Sequence, residues 1–267
     1  MPKVRIDKLI VEKGLAESRE KAQKLIMAGM VILDGKIIDK SGTLVDENSD
    51  VILKESLKYV SRGGLKLETA LKHFNLDFTD KTVIDIGAST GGFTDLCLQN
   101  GAKKVFAVDV GKNQLHEKLL NSPRVMNIEK TNFRYIDYEI INEKVDMIVS
   151  DVSFISLTNI IPKIIQFCHS STEICLLIKP QFEAGAKHVG KNGVVRDKEI
   201  HIQVITKIID FAEEYKLYTH GLVASSIKGP KGNIEYLLYL KYNTKCNDKI
   251  NENEIRKVVY EEYCYHC

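Results

Sequence analysis

The rhythm of apolar and polar positions changes near residue 60. Before it, Ile6, Leu9 and Ile10 recur at helical spacing and stop at Gly14, which predicts a short helix with a glycine cap. Ser18 then opens a second helix that carries Ala22, Leu25 and Ile26 on one face and ends before Gly29. Val31–Leu33 and Lys36–Ile38 flank Asp34-Gly35, the pattern of a β-hairpin, and Val51–Leu53 reads as one more strand. These elements predict a small α+β module over residues 1–60, with little core of its own.

Beyond residue 60, short apolar runs alternate with helical stretches. Strands are expected over 81–86, 105–108, 145–149 and 174–178, and a longer one over 234–242. Helices are expected over 91–98, 156–167, 197–215 and 252–263. Apolar strands that alternate with helices imply a mostly parallel sheet covered on both faces, so residues 61–267 read as an α/β domain.

In such a sheet the chemistry gathers beyond the carboxyl ends of the strands. Asp85-Ile86-Gly87-Ala88-Ser89-Thr90-Gly91-Gly92-Phe93 occupies one such end. Gly87 and Gly91 let backbone approach a ligand, and Gly92 opens a helix whose N–H groups face the site. Asp109 closes the next strand, where a carboxylate suits the two hydroxyls of a ribose. Ser89 stands where a dinucleotide fold has its middle glycine, so no pyrophosphate cradle is spelled out. The turn suits an adenosine with an amino-acid tail, S-adenosyl-L-methionine, although a tight strand-to-helix turn alone would also use these glycines. Asp151 and Lys179 end further apolar strands, and Lys66 and Glu235 lie in polar, glycine-rich segments. Two amines and two carboxylates could orient a ribose 2′-hydroxyl in line with a sulfonium methyl and remove its proton.

Composition narrows the setting. Thirty-eight Lys and Arg against 36 Asp and Glu leave a net charge of +2, so any nucleic-acid contact must be local. The longest apolar runs fall far short of the ~20 residues of a spanning helix. Lys3, Arg5, Asp7, Lys8, Glu12 and Lys13 stand where a signal peptide would be apolar, which predicts a soluble, cytoplasmic protein. Of the six cysteines, only Cys264 and Cys267 have metal-like spacing. Even with His266 they are too few for a structural zinc site, and no metal is expected.

Taken together, Arg5-Ile6-Asp7 with Ser18-Arg19, Val60-Ser61-Arg62-Gly63-Gly64, the turn at 87–94, Asp109-Val110-Gly111, Ser153-Phe154-Ile155-Ser156-Leu157, Lys179-Pro180-Gln181-Phe182-Glu183 and Gly229-Pro230-Lys231-Gly232-Asn233-Ile234-Glu235-Tyr236 are specific. The chain resembles the TlyA family of bacterial rRNA ribose 2′-O-methyltransferases, some of which carry the name haemolysin. The resemblance implies an N-terminal RNA-binding module of the ribosomal-protein (alpha-L) kind. It implies further a class I, Rossmann-like, FtsJ-like methyltransferase domain. By the same resemblance Lys66, Asp151, Lys179 and Glu235 form the catalytic tetrad. Asp85, Gly87, Ser89, Gly91, Gly92, Phe93 and Asp109 would then line the cofactor site, with Glu129 or Asn132 near the adenine. The family acts on cytidine in 16S and 23S rRNA within ribosomal subunits. The complete N-terminal module and C-terminal helix are similar to the branch that modifies both, and no obligate protein partner is implied.

Lys3, Arg5 and Lys8 on the first predicted helix, with Arg19, Lys21 and Lys24 on the second, are the candidate RNA contacts. Residues 1–24 hold seven basic against four acidic groups. Lys187, Lys191, Arg196, Lys198, Lys228 and Lys231 could add a rim around the active mouth, and Phe154 could shape the pocket. Tyr135 and Tyr138 read as core aromatics sooner than as base-stacking ones, and His188 as a solvated loop residue. Rival readings fit less well. The segment at 150–154 lacks the Pro-Pro-aromatic pattern of base amino-methyltransferases, and Cys175 lies inside a strand rather than at its end. A pseudouridine synthase would not need the glycine turn. A pore-forming haemolysin needs an inserting segment, and a non-catalytic RNA-binding assembly factor would not need the tetrad.

Overall fold

The computed structural model describes residues 3–27, 29–53, 58–246 and 250–264, with side chains as far as residue 261. Cys264 as a ligand, His266 and Cys267 therefore lie outside the described residues. The chain divides into two compact units, residues 1–58 and 59–267. The division precedes Tyr59 because that ring is buried in the second unit's core, and the Val60 N–H donates to Asp95 at 2.9 Å.

In the first unit β1 (Lys3–Arg5) leads into α1 (Ile6–Glu12), and α2 (Arg19–Met27) follows. β2 (Val31–Leu33), β3 (Lys36–Ile38), β4 (Leu44–Asp46) and β5 (Val51–Leu53) complete it. β1 pairs antiparallel with β4, and β3, β2 and β5 form a second antiparallel sheet in that order. Asp34 and Gly35 have φ of 46° and 80°, which makes the hairpin turn a twisted, primed one. The Ser18 hydroxyl caps α2 by accepting the Lys21 N–H at 3.2 Å. Ile6, Leu9, Ile10, Ala22, Ile26, Val31, Val45 and Val51 form this unit's core.

The second unit contains α3 (Gly63–Phe74), β6 (Thr82–Ile86), α4 (Gly92–Gln99), β7 (Lys104–Val108), α5 (Glu117–Leu120), β8 (Val125–Ile128) and α6 (Tyr138–Ile141). It continues with β9 (Val145–Ser150), α7 (Ile161–Ile164), β10 (Cys168–Ile178), α8 (Pro180–Glu183), α9 (Lys198–Glu214), β11 (Leu217–Ala224), β12 (Tyr236–Tyr242) and α10 (Glu252–Cys264). Its seven strands lie in the order β11-β12-β10-β9-β6-β7-β8, parallel except for β12, which runs against both neighbours. Side chains alternate across the sheet. Val83, Val105, Val149, Cys175 and Leu237 meet α3 and α4 on one face. Ile84, Phe106, Ile148, Ile174 and Leu238 meet α7, α9 and α10 on the other. Both faces are thus buried, which is why these strands read as unbroken apolar runs. This is the doubly wound α/β fold with a small α+β module that the sequence predicts.

Some elements differ from expectation. The helix expected over 156–167 is instead a 3₁₀ turn, the four residues of α7 and a second 3₁₀ turn. Pro162 allows a fresh helix start but no continuous ladder, and the Glu183 carboxylate accepts the Ser156 hydroxyl at 2.6 Å and the Leu157 N–H at 2.7 Å. Lys3 and Arg5 lie on β1 rather than on the first helix. β12 begins after Glu235, not at Ile234, and β10 starts earlier, at Cys168. Strands β1, β4, β8 and β11 and helices α3, α5, α6 and α8 are additional. Among the described residues no helix is long and apolar enough to cross a membrane.

Candidate active site

The sheet's strand order reverses between β6 and β9, the position at which an open α/β sheet leaves a crevice. Asp85 lies near the end of β6, Asp151 just after β9 and Lys179 just after β10. Glu235 precedes β12, and because that strand runs backwards its beginning shares the edge where the others finish. Lys66 comes from the first turn of α3.

These elements bring four charges into one chain. Glu235 Oε2 lies 2.7 Å from Lys66 Nζ, which is 3.5 Å from Asp151 Oδ2. Asp151 Oδ1 lies 2.5 Å from Lys179 Nζ. Lys66 and Lys179 are each 7% exposed and Glu235 1%, so each charge depends on its neighbour rather than on water. Two residues outside the sequence-predicted set join them. Lys179 also donates to the Ser153 hydroxyl at 2.9 Å, and the Gln181 amide donates to Glu235 Oε1 at 3.1 Å. Each belongs to a motif the sequence singled out, yet each partner is far away in the chain.

Two cavities meet here. One, of about 280 Å³, is lined by Lys66, Asp85, Gly87, Ser89, Gly92, Phe93, Asp151, Ser153 and Lys179 among others. The second, of about 320 Å³, is lined by Gly87, Ser89, Asp109, Asn132, Asp151, Ser153 and Phe154 among others. Gly87, Ser89, Asp151 and Ser153 line both. Gly87 has φ of 81°, and a Cβ there would sit 3.0 Å from the Asp151 carbonyl oxygen, so only glycine lets the two strand ends approach. The Asp109 carboxylate accepts the N–H groups of Ser89 at 2.8 Å and Gly111 at 2.7 Å, which fixes it at the rim.

Asp85 is fully buried and accepts the Thr94 hydroxyl at 2.6 Å, while its Oδ1 has no hydrogen-bond partner. Burial, reinforced by the nearby Asp151 and Asp109 charges, pushes its pKa up to about 7. A cation in the cavity would find an unused carboxylate oxygen.

Gly91 and Glu129 line neither cavity. Gly91 has φ of 93°, and a Cβ there would overlap Leu119 Cδ1 and crowd Leu115 Cδ1. Gly91→Ala should destabilise the fold by about 1–3 kcal/mol, visible as a lower melting temperature; unchanged melting would contradict this packing role. Glu129 accepts the Asn113 N–H at 2.8 Å and the Asn127 amide at 3.1 Å. Asn132 lines the second cavity and caps a 3₁₀ turn through the Arg134 N–H at 3.1 Å.

Of the basic candidates in the first unit, Lys3, Lys8, Lys21 and Lys24 are exposed, with Lys8 3.5 Å from Glu12. Arg5 and Arg19 both bind the buried Asp7. Of the candidates for a rim, Lys228 lines the first cavity, and Lys187 and Lys191 are exposed on the loop after α8. Lys231 packs beside Gly193 and Arg196 is exposed, whereas Lys198 stacks over Tyr260 of α10. Phe154 is 91% exposed with φ of 63°, its ring centroid 4.9 Å from that of Phe182. Tyr135 is exposed, Tyr138 stacks on Phe167 and His188 is exposed.

Residues 59–242 match the model of the FtsJ-like methyltransferases, and residues 4–62 match that of the S4 domain. A Bacillus subtilis protein, provisionally named rRNA methyltransferase YqxC, is 46% identical over 98% of this chain and 94% of its own. The Mycobacterium tuberculosis protein named 16S/23S rRNA (cytidine-2′-O)-methyltransferase TlyA is 40% identical over 91% of each chain. A Streptococcus thermophilus structure bearing a haemolysin name superposes with a TM-score of 0.76 at 45% identity, covering 100% of this chain and 98% of its own.

Proposed function

The chain belongs to the FtsJ-like methyltransferases, in the group that includes TlyA and with an N-terminal S4 domain, and on that footing we propose that it methylates the ribose 2′-hydroxyl of cytidine in 16S and 23S rRNA. The carrying observation is the chain of ions Glu235–Lys66–Asp151–Lys179 at the junction of two cavities. One cavity can take a nucleoside and the other the reacting sugar.

The residues fit S-adenosyl-L-methionine. Asp85 Oδ1 is a buried, unpartnered acceptor suited to an ammonium group, Asp109 presents a fixed carboxylate to ribose hydroxyls, and Gly87 and Ser89 bring backbone to both cavities. Asn132 lies at the nucleoside end. When bound, this cofactor supplies an electrophilic methyl group on a sulfonium.

The chain's own residues then activate the acceptor oxygen. Lys179, once it has given its own proton to solvent, takes the 2′-hydroxyl proton, Asp151 balances the ammonium that re-forms, and Ser153 holds the amine in direction. Lys66, aimed by Glu235 and Asp151, stabilises the developing negative charge on the ribose oxygen. Gln181 holds Glu235. The S4 domain, through Lys3, Arg5, Lys8, Arg19, Lys21 and Lys24, sets the register on folded RNA by phosphate contacts, and Lys187, Lys191, Lys228 and Lys231 extend the grip at the mouth. Both subunit RNAs are expected substrates.

The test is incubation of unmodified 30S and 50S subunits with the protein and S-adenosyl-L-methionine, followed by mass spectrometry of the rRNA nucleosides. The reading requires 2′-O-methylcytidine. A methyl group on a base, or none on either subunit, would overturn it.

A pH effect follows from Asp85. Below pH 7 its carboxyl carries a proton in the free protein, and a cation seated beside it favours the ionised form. Cofactor affinity should therefore rise with pH up to about 7, by as much as about tenfold per unit, and level off above. Titration calorimetry near pH 6 in buffers of different ionisation enthalpy should show proton release on binding. Asp85→Asn should flatten the profile; a wild-type affinity independent of pH would refute the assignment.

A further inference from the structure

The S4 unit contains a carboxylate in an unexpected place. Asp7 sits in the first turn of α1, two residues after the candidate contact Arg5, and it is 0% exposed. Its Oδ1 accepts Arg5 Nε at 3.1 Å, and its Oδ2 accepts Arg5 Nη2 at 3.0 Å, Arg19 Nη2 at 3.0 Å and Gln23 Nε2 at 2.9 Å. One oxygen thus gathers three donors from β1 and α2. Hydrogen bonding to Arg5 above all holds the Asp7 carboxyl well below the usual carboxylate range, so the group stays ionised at any working pH.

A buried carboxylate needs one cationic partner to be neutralised, and here it has two, which leaves the cluster with one surplus positive charge. The Arg5 and Arg19 side chains remain about half exposed, at 46% and 55%. Each uses one edge of its guanidinium on Asp7 and keeps other N–H groups free of it. Two planar forks fixed by a shared acceptor are pre-organised donors for the tetrahedral oxygens of a phosphodiester.

We propose that Asp7 is a positioning residue for RNA, holding Arg5 and Arg19 as a paired clamp on one backbone phosphate. The proposal rests on the RNA-binding reading of the S4 unit and adds that a negative charge strengthens the grip on a polyanion. Without Asp7, two flexible arginines would lose rotamer freedom on binding and repel each other as they converged.

The experiment measures binding of a fluorescein-labelled RNA hairpin to the full-length chain by anisotropy, across a range of KCl concentrations. Asp7→Asn adds one unit of positive charge and keeps the side chain's shape. It should nonetheless weaken binding about tenfold and reduce the slope of log affinity against log salt by about one, as for a lost phosphate contact. Arg5→Gln with Arg19→Gln should weaken binding at least as much, and adding Asp7→Asn to that pair should cost nothing further. If Asp7→Asn loosens the S4 unit, seen by circular dichroism, the decisive variant is Arg5→Lys with Arg19→Lys. It retains charge and a partner for Asp7 but loses the planar forks, and should again bind about tenfold more weakly. A folded Asp7→Asn that binds as tightly as wild type or more so, or a lysine pair that binds like wild type, overturns the clamp. Wild-type binding by the Arg5→Gln, Arg19→Gln protein would instead strike at the RNA reading of these arginines.

Discussion

Lys179→Met and Asp151→Asn should each lower the rate of ribose methylation by about 10²–10⁴-fold, the range for removing a positioned general base or its partner. Lys179 borders the first cavity and Asp151 both, and Asp151 is joined to both lysines. Because the two act as a unit, the double variant should be scarcely worse than either single one. Fold and activity can be separated at the other end of the chain of ions. Lys66→Met alone strands Glu235, which is 1% exposed, without its cation and should cost melting temperature. Adding Glu235→Gln should restore much of that stability and none of the activity. Single-turnover methylation together with a thermal melt checks all of these. Rates within a few-fold of wild type in any two tetrad variants would sink the mechanism.

Removal of residues 1–58 should abolish methylation of assembled subunits, by more than about a hundredfold, while leaving cofactor affinity within about twofold. RNA docking relies on several phosphate contacts, each of which contributes to affinity and register. The second unit keeps its cores on both faces of the sheet and every residue assigned to the cofactor. The cut has to spare Tyr59, because its ring fills that core. Calorimetry with S-adenosyl-L-methionine and methylation assays on 30S and 50S particles provide the readouts. A truncated protein that modified subunits at the wild-type rate would mean that the S4 unit is dispensable for docking.

Much of this was legible in the chain, and the reasons are physical. A sheet buried on both faces writes each strand as an apolar run, so polar residues at its end, such as Asp151 and Lys179, stand out. The helix expected over 197–215 is α9, which Asp197 caps by accepting the Glu199 N–H. Lys66 left no such mark, since α3 opens with Gly63-Gly64, poor helix formers that packing overrides. β11 was hidden because a register shift at Thr219–Gly221 breaks its alternation. β1, Lys-Val-Arg, and β4, Leu-Val-Asp, have neither three apolar residues in a row, as β2 and β5 do, nor an Asp-Gly turn such as Asp34-Gly35 beside them. The contribution of Ser153 and Gln181 could not be read, because each depends on a partner 26 or 54 positions away. Gly91 looked like part of a ligand cradle, yet its missing side chain makes room for Leu115 and Leu119.

The reversed direction of β12 has an evolutionary consequence. The segment 225–234, which lines the first cavity through Ile227, Lys228 and Pro230, and the segment 184–197 after α8 hang from the ends of rigid elements. Insertions or deletions there would redraw the outline presented to an RNA substrate without shifting the register of any strand pair. Target preference can thus diverge among descendants of such a protein while the reaction itself is inherited unchanged.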